Sequence, residues 1–134
     1  MTYGSYLALD ELLSLQRPRT TPVQSDELLF IVVHQSSQLC FKVILQDLET
    51  LSNALQNDDD GLALFQLQRV NGLMRIVSAQ LMSLALLPPQ RFAHFRANLG
   101  SSSGSQSVQV RALAAASGLR EQWFLDLVRR DGPI

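Results

Sequence analysis

From Ser25 onward nothing interrupts a helical pattern of apolar residues until Asn57-Asp58-Asp59-Asp60-Gly61. A helix of roughly 30 residues reaches about 45 Å at 1.5 Å per residue. A compact monomer of this size has a radius of gyration of only about 14 Å. Such a rod cannot be hidden inside a small globule; it must be the spine against which other helices lie. Apolar residues recur at helical spacing in the rest of the chain as well, and the β-branched run Ile31-Val32-Val33 sits inside this long pattern. The expected fold class is therefore all-α: a helical bundle built on two long antiparallel helices, forming one unit over residues 1–134.

A first helix is expected over Tyr3 to Gln16, ended by Pro18 and Pro22. Ser25-Asp26-Glu27 reads as the start of the long helix, with a capping hydroxyl and two carboxylates at its positive end. A third helix, Gly61 to Leu86, is expected to lay Leu64, Leu67, Leu73, Met74, Val77, Leu81 and Leu84 against the second, the aspartates making a tight hairpin turn. Pro88-Pro89 ends it and opens a short helix to Asn98. The Gly/Ser stretch 100–105 is a loop, followed by helices over Gln106 to Ser117 and Leu119 to Arg130.

Two long helices and a few short ones cover each other poorly when 46% of residues are hydrophobic and 17% charged, against about a quarter charged in ordinary soluble domains. A homo-oligomer, dimer or tetramer, is the physical expectation. The longest apolar runs, Leu28 to Val33 and Leu84 to Leu87, fall far short of the roughly 20 residues that span a bilayer, so no membrane segment is expected. No basic n-region or small-residue cleavage site precedes the first helix, which points to the cytoplasm. A net charge of −1 leaves no electrostatic footprint for nucleic acid. One cysteine, Cys40, excludes an intrachain disulfide and a CxxC metal site.

Few residues can carry chemistry. His34 shares a helical stripe with Phe30, Ser37 and Phe41. It reads either as a core histidine satisfied by one hydrogen bond or as a neutral acceptor, or iron ligand, in an apolar pocket. Cys40 lies about 240° further around the helix and cannot join it at one metal. His94 reads as a surface residue. Phe92 and Arg96 are one turn apart, so a ring contact and a guanidinium fork can belong to one pocket, a pairing suited to an aromatic amino acid; an arginine paired with an acid beside a core phenylalanine is the plainer reading. The absence of ExxH and HExxH pairs excludes di-iron bundles and zincins, and there is no nucleophile elbow.

Three segments together are specific. Tyr3-Gly4-Ser5-Tyr6-Leu7-Ala8-Leu9-Asp10, then Asp26 to Gln35 with Leu39-Cys40-Phe41-Lys42, then Phe95 to Arg111 closely resemble the N-terminal half of tryptophan 2,3-dioxygenases, in that family's order and over roughly residues 2–112. The resemblance implies a helical homotetramer that binds heme b and inserts both atoms of dioxygen across the indole C2–C3 bond. It gives His34 the position of the catalytic histidine near the indole nitrogen and Phe30 that of the ring wall above the heme. Arg96 takes the position that pairs with the substrate carboxylate, with Phe92 beside it. Ser103 and Gly104 belong to the loop over the heme edge and the substrate's polar end, and Tyr3, Tyr6 and Leu7 to a segment completing a neighbouring subunit's pocket.

The sequence also departs from the family's pattern. Gln38 and Cys40 stand where an acidic residue and tryptophan are usual, Ser105 where an aromatic residue is, and no acid follows Arg111 within Ala112 to Ala115. The proximal heme histidine belongs to the family's C-terminal half, which this sequence does not include. An axial ligand would then be His34, His94, a partner chain or an exogenous group. Residues 113–134 read as a compressed closing segment with Trp123-Phe124 and Leu127-Val128 on one helix. The expected function is heme-dependent oxidation of tryptophan or a related aromatic substrate. The alternatives are a heme-free aromatic-amino-acid-binding or oligomerisation module of the same fold, and a truncated gene product.

Overall fold

The structure, a computed structural model, describes residues 1–118, all of whose regular elements are helical. In chain order they are α1 (Tyr3–Tyr6), α2 (Leu9–Leu13), α3 (Ser25–Gln56), α4 (Asp60–Met82), α5 (Pro89–Arg96) and α6 (Val108–Ala116), with 3-10 turns at Ser83–Leu86, Ala97–Leu99 and Gly104–Gln106. The expected final helix from Leu119, with Trp123, lies outside the described residues.

The hairpin of α3 and α4 forms where the sequence places it. Asp58 takes a left-handed conformation (φ 55°), and the Asp59 carboxylate accepts from the Leu62 amide at 3.0 Å to cap α4. What differs is the face that α4 turns to its partner. Its buried residues are Ala63, Gln66, Val70 and Val77, whereas Leu64, Leu67, Met74 and Leu81 are exposed. Ala63, Gln66, Val70, Leu73 and Val77 follow the alternating three-and-four spacing of a coiled-coil seam. Small residues and β-branched valines let the two backbones approach, which a row of leucines would prevent. The leucine stripe is real, but it runs beside the seam and faces outward. On α3 the seam is Val33, Ser37, Phe41, Ile44, Asp47 and Ala54, all buried. Phe41, Ile44, Val70 and Val77 form the central cluster, and α6 lays Val110 and Leu113 on it. Asp47 is 1% exposed, and its carboxylate takes both Nε and Nη2 of Arg69, whose guanidinium also sits over the Phe65 ring at 5.5 Å.

By length and composition alone α3 is apolar enough to cross a bilayer, a property that its short uninterrupted runs conceal; only 22% of its most apolar stretch is buried within the described residues. Here it serves as the spine, carrying α4, α5 and α6.

At 32 residues against 23, α3 outreaches α4, and the overhanging start of α3 meets α5 instead. The Ser25 hydroxyl does not cap this end. Gln24 occupies the N-cap without a side-chain bond, and the acids find partners in the fold: Asp26 accepts from Arg91 of α5 at 3.4 Å, and Glu27 turns back on the preceding segment. The first helix is also not continuous. Ala8 adopts the left-handed conformation (φ 49°), which breaks it into α1 and α2 and redirects the chain before Leu9.

Candidate functional site

The overhang of α3 carries Phe30 and His34 one helical turn apart, so their rings meet, with centroids 4.1 Å apart. Pro89 at the first turn of α5 directs that helix across the overhang, and α5 supplies two more rings. Phe30 lies 5.8 Å from Phe92 and 5.5 Å from Phe95, and Phe92 stands edge-on to Phe95 at 5.2 Å. Phe95 is fully buried at 0% exposure and anchors the cluster. It is a site-building residue that pocket-centred reasoning passes over, although its three-residue spacing from Phe92 is the available signal.

His34 Nδ1 lies 2.7 Å from the carbonyl oxygen of Phe30. A carbonyl can only accept, so Nδ1 carries the proton and Nε2 of the neutral ring keeps its lone pair. His34 thus has the one hydrogen bond that the plainer sequence reading expects. It is half-buried, with its orientation set by its own helix and one acceptor nitrogen available.

Two apolar hollows flank this pair. One, of about 330 Å³, is lined by Phe30, Leu84, Leu87, Pro89 and Phe92. The other, of about 340 Å³, is lined by Leu12, Leu15, His34, Gln35, Gln38 and Leu39. The second exists because the chain after α2 is fastened over α3. Gln16 Nε2 donates to Gln35 Oε1 at 2.6 Å, and Gln35 Nε2 donates to the Leu15 carbonyl at 3.2 Å. Glu27 ties down the next few residues. Only 1% exposed, its carboxylate accepts from the Arg19 amide (2.7 Å), the Thr20 amide (2.9 Å) and the Thr20 hydroxyl (2.6 Å). Burial alone would raise its pKa; the Thr20 hydroxyl, the two amides and the nearby Arg19 charge outweigh that and hold it below 4.5.

Arg96 ends α5, with its guanidinium exposed and donating from Nη1 to the Gly100 carbonyl at 3.1 Å. No carboxylate among the described residues lies within ion-pair distance of it, so the plainer sequence reading, an arginine already paired with an acid, does not hold here. Its remaining N–H donors suit an external carboxylate. The loop beyond is held from within: Ser103 Oγ accepts from the Ser105 amide, and the Ser103 amide donates to Gln106 Oε1 at 3.1 Å. Ser103 and Gly104 are exposed on it. His94 is exposed on α5, and no three-residue group of His, Cys, Asp or Glu among the described residues is arranged to hold a metal ion. Tyr3 and Tyr6 are 78% and 73% exposed and Leu7 is exposed, so within one chain they line neither hollow.

Comparison with known proteins follows the same lines. The model of the family described as tryptophan 2,3-dioxygenase matches residues 1–128. A tryptophan 2,3-dioxygenase of Kineococcus radiotolerans is 45% identical over 133 residues, 99% of this chain and 46% of the relative. One from Anaeromyxobacter dehalogenans is 45% identical over 99% of this chain and 49% of its own length, and one from Caulobacter vibrioides 42% identical over 93% and 47%. The chain spans about half the length of the curated relatives it matches.

Proposed function

The chain belongs to the tryptophan 2,3-dioxygenase family, and from that membership we propose that it forms the substrate-side wall of a site for heme-dependent oxidation of tryptophan or a close aromatic relative. The observation that carries this reading is the ring cluster of Phe30, Phe92 and Phe95, in which Phe30 also meets the ring of His34, a histidine with Nε2 as its acceptor nitrogen.

An indole N–H is a donor without an acceptor, and His34 Nε2 is the matching acceptor on an otherwise apolar wall. Phe30 and Phe92 take the ring by stacking or edge contact and exclude water around it. Arg96 takes the α-carboxylate through its uncommitted donors, which fixes the end of the amino acid opposite the indole. Because Nδ1–H is already held by the Phe30 carbonyl, His34 Nε2 can accept a hydrogen bond from the indole N–H without the ring changing its orientation.

Phe30 and the hollow it shares with Leu84, Leu87 and Phe92 would give an apolar face to one side of a heme, and the exposed Ser103–Gly104 turn would offer backbone and hydroxyl groups to its polar edge. Heme b, when bound, supplies the activation of dioxygen. Tyr3, Tyr6 and Leu7, exposed in the single chain, are then available to a neighbouring copy's site, and the reading includes a cytoplasmic homodimer or homotetramer acting on a small molecule rather than on nucleic acid or a membrane.

The test is to express the protein with a heme precursor, record the visible spectrum, and measure the rise in melting temperature on adding L-tryptophan, for wild type and Arg96→Ala. A Soret band and a tryptophan-dependent rise that Arg96→Ala abolishes support the proposal. A tryptophan shift without any Soret band would replace it with the heme-free binding module, and equal shifts in both proteins would remove Arg96 from the site.

A further inference from the structure

Resting on the proposed site, we infer that Gln38 is a positioning residue: it fixes the loop that follows Arg96 in register with His34, and so sets the distance between the carboxylate-binding end and the indole-binding end. Gln38 lies one helical turn beyond His34 on the same face of α3 and lines the same hollow. Its side-chain Oε1 accepts from Ser107 Oγ (2.9 Å) and from Gln109 Nε2 (2.9 Å), and its main-chain oxygen accepts a further 2.9 Å bond from Gln109 Nε2.

These bonds fasten the far end of the loop, at the very point where Ser107 caps α6. The near end is fastened by Arg96 to the Gly100 carbonyl, and the middle by the mutual bonds of Ser103, Ser105 and Gln106. The loop is therefore a braced strut with Arg96 at one end and the His34 helix at the other. An α-amino acid whose carboxylate sits on Arg96 and whose ring meets His34 is measured by that strut.

The bonding also says which substitutions preserve it. Ser107 Oγ and Gln109 Nε2 both act as donors toward Gln38, so this position must offer an acceptor. A carboxylate provides one as well as an amide does, whereas an isosteric apolar side chain does not. Gln38→Glu should therefore keep the brace and Gln38→Leu should lose it.

The experiment uses the full chain and two readouts. Amide hydrogen exchange is followed over residues 100–107, and affinities for L-tryptophan and for tryptamine, which lacks the carboxylate, are compared by calorimetry. Gln38→Leu is expected to speed exchange across the loop about tenfold and to erase most of the preference for tryptophan over tryptamine, while tryptamine binding changes little. Gln38→Glu should match wild type in both. Wild-type loop protection and wild-type preference in Gln38→Leu would overturn the inference. If Gln38→Leu does not fold by circular dichroism, Gln109→Leu removes two of the three bonds from the other side, leaves the Ser107 cap of α6 in place, and is judged by the same outcomes. If the wild type binds neither ligand, the proposed site fails, and the exchange arm alone still decides whether Gln38 braces the loop.

Discussion

Replacing Glu27 tests how the N-terminal segment is held over the histidine. Its buried carboxylate accepts three hydrogen bonds from Arg19 and Thr20, which tie residues 19–20 to α3. Hydrogen bonds to a charged group contribute about 1.5–3 kcal/mol each, and the cost of burying the charge offsets part of the sum. Glu27→Ala should then destabilise the protein by about 3 kcal/mol, and Glu27→Gln, which keeps one acceptor and sets an NH2 group against a donor, by about 2 kcal/mol. With an unfolding entropy of about 2.1 cal/mol/K per residue, 3 kcal/mol lowers the melting temperature by about 10 °C in a chain of this length.

The pH dependence is the sharper measurement. Because the folded pKa lies below the unfolded value of 4.5, the stabilisation is fully present above pH 4.5 and is lost as pH falls through the lower folded value. Urea denaturation followed by circular dichroism, from about pH 7 down to about pH 3, should show the wild type converging on Glu27→Gln only below that value. A gap that stays constant over the whole range, or one under about 0.5 kcal/mol at neutral pH, would refute the assignment of Glu27 as an ionised clasp.

Phe30→Ala removes the ring shared by His34, Phe92 and Phe95 and should cost about 2–3 kcal/mol in chemical denaturation while abolishing any tryptophan-dependent shift; an unaltered shift would place the ligand elsewhere. Ala8→Gly relieves a left-handed alanine and should raise stability by about 0.5 kcal/mol, whereas a loss would show that the break between α1 and α2 is not strained. Leu64→Glu combined with Leu67→Glu should change unfolding free energy by less than about 0.5 kcal/mol but reduce self-association in analytical ultracentrifugation; a large loss of stability would return that stripe to the hairpin seam.

The long helices and the turn between them were legible because periodicity over many residues leaves few alternatives. Which stripe of α4 faces α3 was not, because hydrophobicity ranks Leu64 and Leu67 above Ala63 and Gln66, while packing two helices closely rewards small side chains and tolerates a buried glutamine. His34, Phe30 and Phe92 could be assembled from spacing on two helices and from resemblance. The parts that place them could not. Glu27 reads in sequence as an acid at a helix start, and its actual partners are revealed only when residues 19 and 20 fold back on it. Gln38 and Gln109 are seventy-one positions apart and carry no local signal of their bond.

The overhang of α3 beyond α4 also has a kinetic meaning. The stem of the hairpin is stitched by neighbours close in sequence, joined through a turn of a few residues, and low contact order of this kind favours rapid formation. Apart from Glu27, which meets Arg19 and Thr20, the overhang relies on partners further off. Phe30 waits for Phe92 and Phe95, and Asp26 for Arg91, all of them distant along the chain. During synthesis the stem can therefore form while the aromatic wall is still open, and the Phe30 end of the spine is the last part of it to close.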